Sequence, residues 1–296
     1  MDKEDLIQHL PDGAKPLLSE GFHIISPTAS WDHFRKRREA REMTNEFFGG
    51  SETWEALESE FYEESGIVDI VMSALDEVQD EKVVFDAHRG VCARLYASIR
   101  KWEPETVVAT GVYSGVATAS MLLALQENDR GTLYSVDFAS GLSADKEEGN
   151  STESETERAL SLDYFERGRP SCAEVRSHEI PDDKEPGWII PEELRDRWEY
   201  YSGRERAALP TLMEDVSDIG LFYHDSDHST SGMLFEFELA FDQLQPGGII
   251  LSPHIDRNKA FDIFVNEREC DHGVLHYDYL YSDEYDVPCS CGYVIK

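Results

Sequence analysis

The stretch Thr106-Val107-Val108-Ala109-Thr110-Gly111-Val112-Tyr113-Ser114-Gly115-Val116-Ala117-Thr118 decides how the chain is read. Its first four residues, three of them β-branched, suit a buried strand, and Val116 to Glu127 suits a helix. Between them stand Gly111 and Gly115. Glycine lets backbone approach a ligand closely, and a helix N-terminus offers N–H groups that the helix itself cannot satisfy. Strand, glycine turn and helix in this order therefore suit a ligand with an anionic group. The spacing G-x-x-x-G is not the dinucleotide fingerprint, and no Gly-Lys-Ser/Thr follows to make a phosphate loop.

Working outward, Leu133 to Phe138 reads as the next strand, with Asp137 near its end. An acid about 20 residues beyond a glycine turn is placed to bind the two hydroxyls of a ribose. Ile219 to His224 reads as a further strand and opens into His224-Asp225-Ser226-Asp227-His228. Carboxylates and imidazoles at the C-terminal end of a parallel strand lie where open α/β sheets bind ligands, and histidine titrates near neutrality. Met233 to Leu244 then reads as helix, Gly248 to Leu251 as strand and Lys259 to Glu269 as helix. Val274 to Tyr281 and Gly292 to Ile295 are two strands joined through Pro288 with no helix between them, so one must run antiparallel. Repeated strand-helix units predict a mostly parallel sheet covered by helices on both faces.

The remainder frames this domain. Residues 1–30 read as irregular chain, Phe34 to Phe48 as a helix stopped by Gly49-Gly50, and Ser51 as the cap of another helix through Trp54, Leu57 and Phe61. A third helix after Gly66 carries Ile70, Val71, Ala74, Leu75 and Val78. The expected division is a leader and helical appendage over residues 1–85 and the main domain over 86–296. An acidic interruption at about 139–191 reads as a mobile lid with a short helix at Ala159 to Phe165.

Composition narrows the partners. The 296 residues hold 61 acidic against 27 basic side chains, a formal charge of −34, with 40% hydrophobic residues. That is a folded globule whose charge repels phosphate backbones and anionic lipid, so nucleic acid and membrane are not expected partners. The basic run at Arg35, Lys36, Arg37, Arg38 and Arg41 reads as one solvated helix face. The start lacks a basic segment followed by an apolar one, and no apolar run is long enough to span a bilayer, which points to the cytoplasm. Five scattered cysteines without a CxxC pair read as free thiols. Carboxylates spread along the whole chain read as the surface of a halophile's protein, where concentrated salt screens their repulsion. A homo-oligomer is compatible with all of this.

Glu105 to Thr118, Leu133 to Asp137, Ile219 to His228, Gln245-Pro246-Gly247-Gly248 and Ala260-Phe261 together resemble the class I S-adenosylmethionine-dependent methyltransferases, and within them the small-molecule O-methyltransferases. The resemblance covers residues 85 to 296. It implies a seven-stranded Rossmann-like sheet in the order 3-2-1-4-5-7-6, with strand 7 antiparallel. Gly111, Tyr113, Ser114 and Gly115 would then cradle the methionine part of S-adenosylmethionine, and Asp137 would hold its ribose. Asp225 would contact the amino end of the cofactor or, in a cation-dependent branch, a divalent metal. His228 falls near the reacting oxygen and is the expected general base, with His254 in reserve. Three positions depart from the pattern. Ala109 stands where an acid commonly precedes the glycine, Arg204 where an acid often faces adenine, and Pro253-His254 where metal-dependent relatives carry an acidic pair. The reading therefore assigns no metal, although His254 could ligate one. The departures also keep open a non-catalytic cofactor-binding or scaffold protein of the same fold. An oxidoreductase is disfavoured by the glycine spacing.

Overall fold

The apolar runs on either side of Gly111 and before Asp225 become the middle of a seven-stranded sheet. The computed structural model describes residues 42–74, 79–137, 184–255, 258–278 and 288–296. Strands β1 (Thr106–Thr110), β2 (Thr132–Asp137), β3 (Trp198–Ser202), β4 (Ile219–His224), β5 (Leu244–Ser252), β6 (Asp271–Asp278) and β7 (Pro288–Ile295) lie in the order β3-β2-β1-β4-β5-β7-β6. β1 pairs in parallel with β2 and β4, while β7 runs antiparallel to both β5 and β6. This is the expected methyltransferase sheet, and the antiparallel strand is the one predicted by the absence of a helix before it.

Alternation along the central strands separates two layers. Val107, Ala109, Leu221, Tyr223, Ile249 and Leu251 share a core with helices α3 (Gln79–Trp102) and α4 (Val116–Glu127). Val108, Phe222 and Ile250 face the opposite core, against α5 (Glu205–Asp215), α6 (Thr230–Gln243) and α7 (Ala260–Asn266). β4 is buried at every residue, as a strand covered on both faces must be.

N-terminal helices α1 (Ser51–Ser59) and α2 (Ile67–Ala74), the π-helical turn Glu60–Glu64 between them and a helical segment over 42–48 supply Phe47, Phe48, Trp54, Phe61, Ile67 and Val71 to the first of these cores. α3 runs unbroken through position 85/86. The division into appendage and main domain is thus a proposal about folding units, since the packing is continuous. The parts of the leader before residue 42 lie outside the described residues.

Local readings are corrected in three places. Ser51 does not cap α1; it is the first helical residue, and Gly50, with φ 135°, precedes it without a side-chain hydrogen bond. α6 starts at Thr230, earlier than read, because the Ser229 hydroxyl accepts the Gly232 N–H at 3.0 Å. β5 begins at Leu244 and takes in Gln245-Pro246-Gly247 through a register shift against β4, so the turn residues sit on a bulged strand.

Of the acidic interruption, residues 139–183, including the helix read at Ala159 to Phe165, lie outside the described residues. Its last part is no lid. Ile189 and Ile190 are buried, the Gly187 N–H donates to the Tyr113 carbonyl at 2.8 Å, and the Ile189 N–H donates to the Ser114 carbonyl at 3.2 Å. The apolar Trp188-Ile189-Ile190 outweighs the charges that dominate the segment before it, and fixes its end onto the glycine turn. Among the described residues no helix is long and apolar enough to cross a membrane. Cys92, Cys270 and Cys291 are free thiols. Burial pushes Cys92 and Cys291 up to about 12, so neither is a thiolate at neutral pH.

Candidate active site at the strand ends

The order of the sheet reverses between β1 and β4, and open α/β sheets bind ligands in the crevice at such a point. Both halves of the expected site lie there. After β1 the backbone takes left-handed values at Gly111 (φ 82°), Tyr113 (φ 50°) and Gly115 (φ 103°). The Val112 and Tyr113 N–H groups donate to Asp137 Oδ2 at 2.8 and 2.6 Å, so the carboxylate at the end of β2 holds the turn. Ser114 is buried and its carbonyl serves the Ile189 N–H, which makes it a structural member of the turn.

The two glycines are needed for reasons the sequence alone does not reveal. A side chain at Gly111 would overlap the Asp225 carbonyl oxygen, and one at Gly115 would press on Gly187 and Ile190. Close approach at Gly111 is therefore between the β1 and β4 loops of this chain. The Asp225 N–H also donates to the Thr110 carbonyl at 3.0 Å. The glycine turn and the histidine-rich loop thus touch through backbone, which sets the two halves of the crevice in register. An acid at the end of β2 beside a left-handed turn fits a nucleoside cofactor.

On the other half, Asp225, His228 and His254 converge. His228 Nε2 lies 3.3 Å from Asp225 Oδ1, and one ligand atom from each of the three residues falls within 4.8 Å of the others. Histidine rings continue in both directions, edge to face, from His224 to His228 at 5.2 Å and from His228 to His254 at 5.1 Å between centroids. His254 is buried and strained, with φ 59°. The site residues read from sequence are therefore gathered at the C-terminal ends of neighbouring strands, in two groups. Two imidazoles and one carboxylate do not fit magnesium, which takes oxygen ligands.

Four residues outside the sequence assignment act on the site. Glu236, from α6, is buried and its Oε2 lies 2.7 Å from His224 Nδ1. The same carboxylate accepts the Thr110 hydroxyl at 2.6 Å and the Ser226 hydroxyl at 2.6 Å, which ties β1, β4 and α6 together under the site. The only sequence signal was an acid between two phenylalanines, Phe235-Glu236-Phe237, on an otherwise apolar face. Tyr223, fully buried, donates its hydroxyl to Asp225 Oδ2 at 2.9 Å; burial first, and the Asp225 charge after it, push its own ionisation well above the usual range. Asn258 donates to the His228 carbonyl at 2.8 Å and accepts from the Ala260 N–H at 2.7 Å, anchoring the histidine loop to α7. Glu205, the neighbour of the departing Arg204, has its carboxyl raised by burial and then by the charges of Glu236, Asp137 and Asp227.

Residues 108–252 match a family model described as a methyltransferase domain. That is just under half of the chain, and it contains β2 to β5, the glycine turn, Asp137, Asp225 and His228, while His254 stands two residues beyond its end. The match supports methyl transfer as the chemistry of this chain. No curated protein is a significant match. Among solved structures the chain is similar to the O-methyltransferase from Bacillus cereus in complex with SAH, at 14% identity over 77% of this chain and 91% of that one, with a TM-score of 0.48. It is also similar to the O-methyltransferase TomG from Streptomyces achromogenes, involved in tomaymycin synthesis and in complex with SAM, at 12% identity over 78% and 90% of the two chains, with a TM-score of 0.47.

Proposed function

We propose that this protein transfers the methyl group of S-adenosylmethionine to an oxygen of a small-molecule acceptor, in the cytoplasm of a salt-adapted cell. One observation supports it above the rest. The left-handed turn held by Asp137 and the Asp225–His228–His254 group meet across the reversal of the sheet, at the contact between Gly111 and the Asp225 carbonyl. A donor on the first group and an acceptor beside the second would be neighbours. In this reading Gly111, Tyr113, Ser114 and Gly115 shape the methionine end of the cofactor site, and Asp137 turns from its backbone partners to the ribose.

The reaction moves a sulfonium methyl to the acceptor oxygen in line, so the S–CH3 bond breaks as the O–CH3 bond forms. The hydroxyl proton passes to His228 Nε2 in the ion-free protein, with Asp225 beside it to stabilise the imidazolium and His254 closing the wall. Products are the methyl ether and S-adenosylhomocysteine. A positioned base is worth roughly 10²- to 10⁴-fold in rate, and alignment contributes on top of that.

Calorimetric titration in concentrated potassium chloride tests the reading. S-adenosylmethionine and S-adenosylhomocysteine should bind and NAD should not, and Asp137→Asn should weaken binding by about ten- to a hundredfold, the worth of hydrogen bonds to a charged group. Binding of neither sulfur cofactor at any salt concentration would end the proposal. Binding without turnover on any phenol or catechol would favour the scaffold reading that Ala109, Arg204 and Pro253 motivate.

A further inference from the structure

We infer that Asp225, His228 and His254 form a binding site for a first-row transition dication of the zinc or cobalt kind, selective against magnesium. The same replacements that spoil the oxygen-rich pattern of a magnesium site produce a different donor set, two imidazoles and one carboxylate. That set suits borderline ions, and three protein ligands leave the remaining positions to water.

Geometry carries the inference. Two ligands bound at about 2.1 Å to one tetrahedral ion are separated by about 3.4 Å. His228 Nε2 and Asp225 Oδ1 already stand 3.3 Å apart, and the His254 ligand atom lies within 4.8 Å of both. Closing the edges to His254 takes at most about 1.4 Å of movement, within reach of a side-chain rotation. The surrounding structure sets the place of each ligand. Tyr223 takes the outer oxygen of Asp225, Asn258 fixes the backbone of His228, and the left-handed backbone of His254 turns its ring to the cluster. Strain of this size, about 1–3 kcal/mol, persists where the surroundings demand it.

The inference stands apart from methyl transfer, since the ion needs only these three side chains. It does bear on the base: an imidazole nitrogen bound to a cation cannot also take a proton, so the role given to His228 belongs to the ion-free protein.

The experiment uses the full chain, treated with chelator and dialysed into molar potassium chloride, where weak binding to its many surface carboxylates is screened. Zinc titrated by calorimetry should bind one ion per chain, about a hundredfold or more tighter than magnesium. Cobalt should give visible absorption bands of a nitrogen- and oxygen-ligated ion. His228→Ala and His254→Ala should each weaken zinc binding at least about tenfold, while His272→Ala, on an exposed strand residue, should leave it unchanged. Equal affinity for zinc and magnesium would overturn the site. So would zinc affinity unaffected by His254→Ala in a variant that still melts cooperatively, or affinity lost with His272→Ala instead. The cobalt spectrum of the unaltered protein keeps the test decisive if the variants do not fold: no absorption at saturating cobalt rejects it. Failure here would leave S-adenosylmethionine binding, measured separately, as it was.

Discussion

The two halves of the crevice are built from different materials. Beneath β1 and β2 the site is backbone: left-handed residues, two N–H groups and one carboxylate that holds them. Beyond β4 and β5 it is side chains, three imidazoles in a row with Glu236, Tyr223 and Asn258 behind them. A backbone site is encoded by glycines at fixed spacing in one short stretch. A side-chain site is encoded by residues scattered over more than thirty positions, which only the fold brings together.

That contrast can be broken by mutation, and the largest effect should come from the side-chain half. Glu236→Ala removes the shared acceptor of His224, Thr110 and Ser226, and leaves two wholly buried partners unsatisfied. The expected cost is about 3–5 kcal/mol of stability, measured by denaturant unfolding in high salt. A loss below 1 kcal/mol would mean that water reaches the network and that it does not brace the site.

Gly111→Val tests the backbone half. The variant forces a β-branched residue into a left-handed conformation and against the Asp225 carbonyl, so it should cost at least about 2 kcal/mol. Cofactor affinity should fall as well. If affinity fell while stability held, the close approach at Gly111 would belong to the ligand, and the contact between the two loops would be unimportant.

Salt should act on both halves together. With a formal charge of −34, repulsion between carboxylates should relax as potassium chloride rises from tenths of molar to molar, and the melting temperature should climb. A flat or falling curve would remove the salt-adapted reading.

The smallest expected effect lies where the halves share their charge. Burial, followed by Glu236, Asp137 and Asp227, raises the Glu205 carboxyl above its ordinary value of 4.5. The folded state therefore keeps a proton that the unfolded state loses first, stability falls as pH rises through that interval, and the penalty is complete above the raised value. Glu205→Gln should raise the melting temperature near pH 7 by no more than about 2 °C in low salt, with the gain vanishing below pH 4.5. An equal gain at all pH values would show that packing, and not charge, is responsible.

The residues alone determined a mostly parallel sheet, its antiparallel strand and the placing of Gly111, Asp137, Asp225 and His228 at strand ends, because these features are local; the strand order, and β3 with it, came with the family resemblance. Short β-branched runs, a glycine turn and an acid at a strand end act within a few residues of where they stand. Sequence alone misread Ser51 as a cap and residues 184–191 as a lid, where a backbone turn and three apolar residues outweighed the local signal. Tertiary structure alone decided that Gly111 is small for the sake of Asp225, that Glu236 lies beneath His224, and that His254 closes on His228. Those relations join β1 to β4, β4 to α6 and β4 to β5, over separations at which the chain carries no periodic signal, and they exist only once both cores have packed.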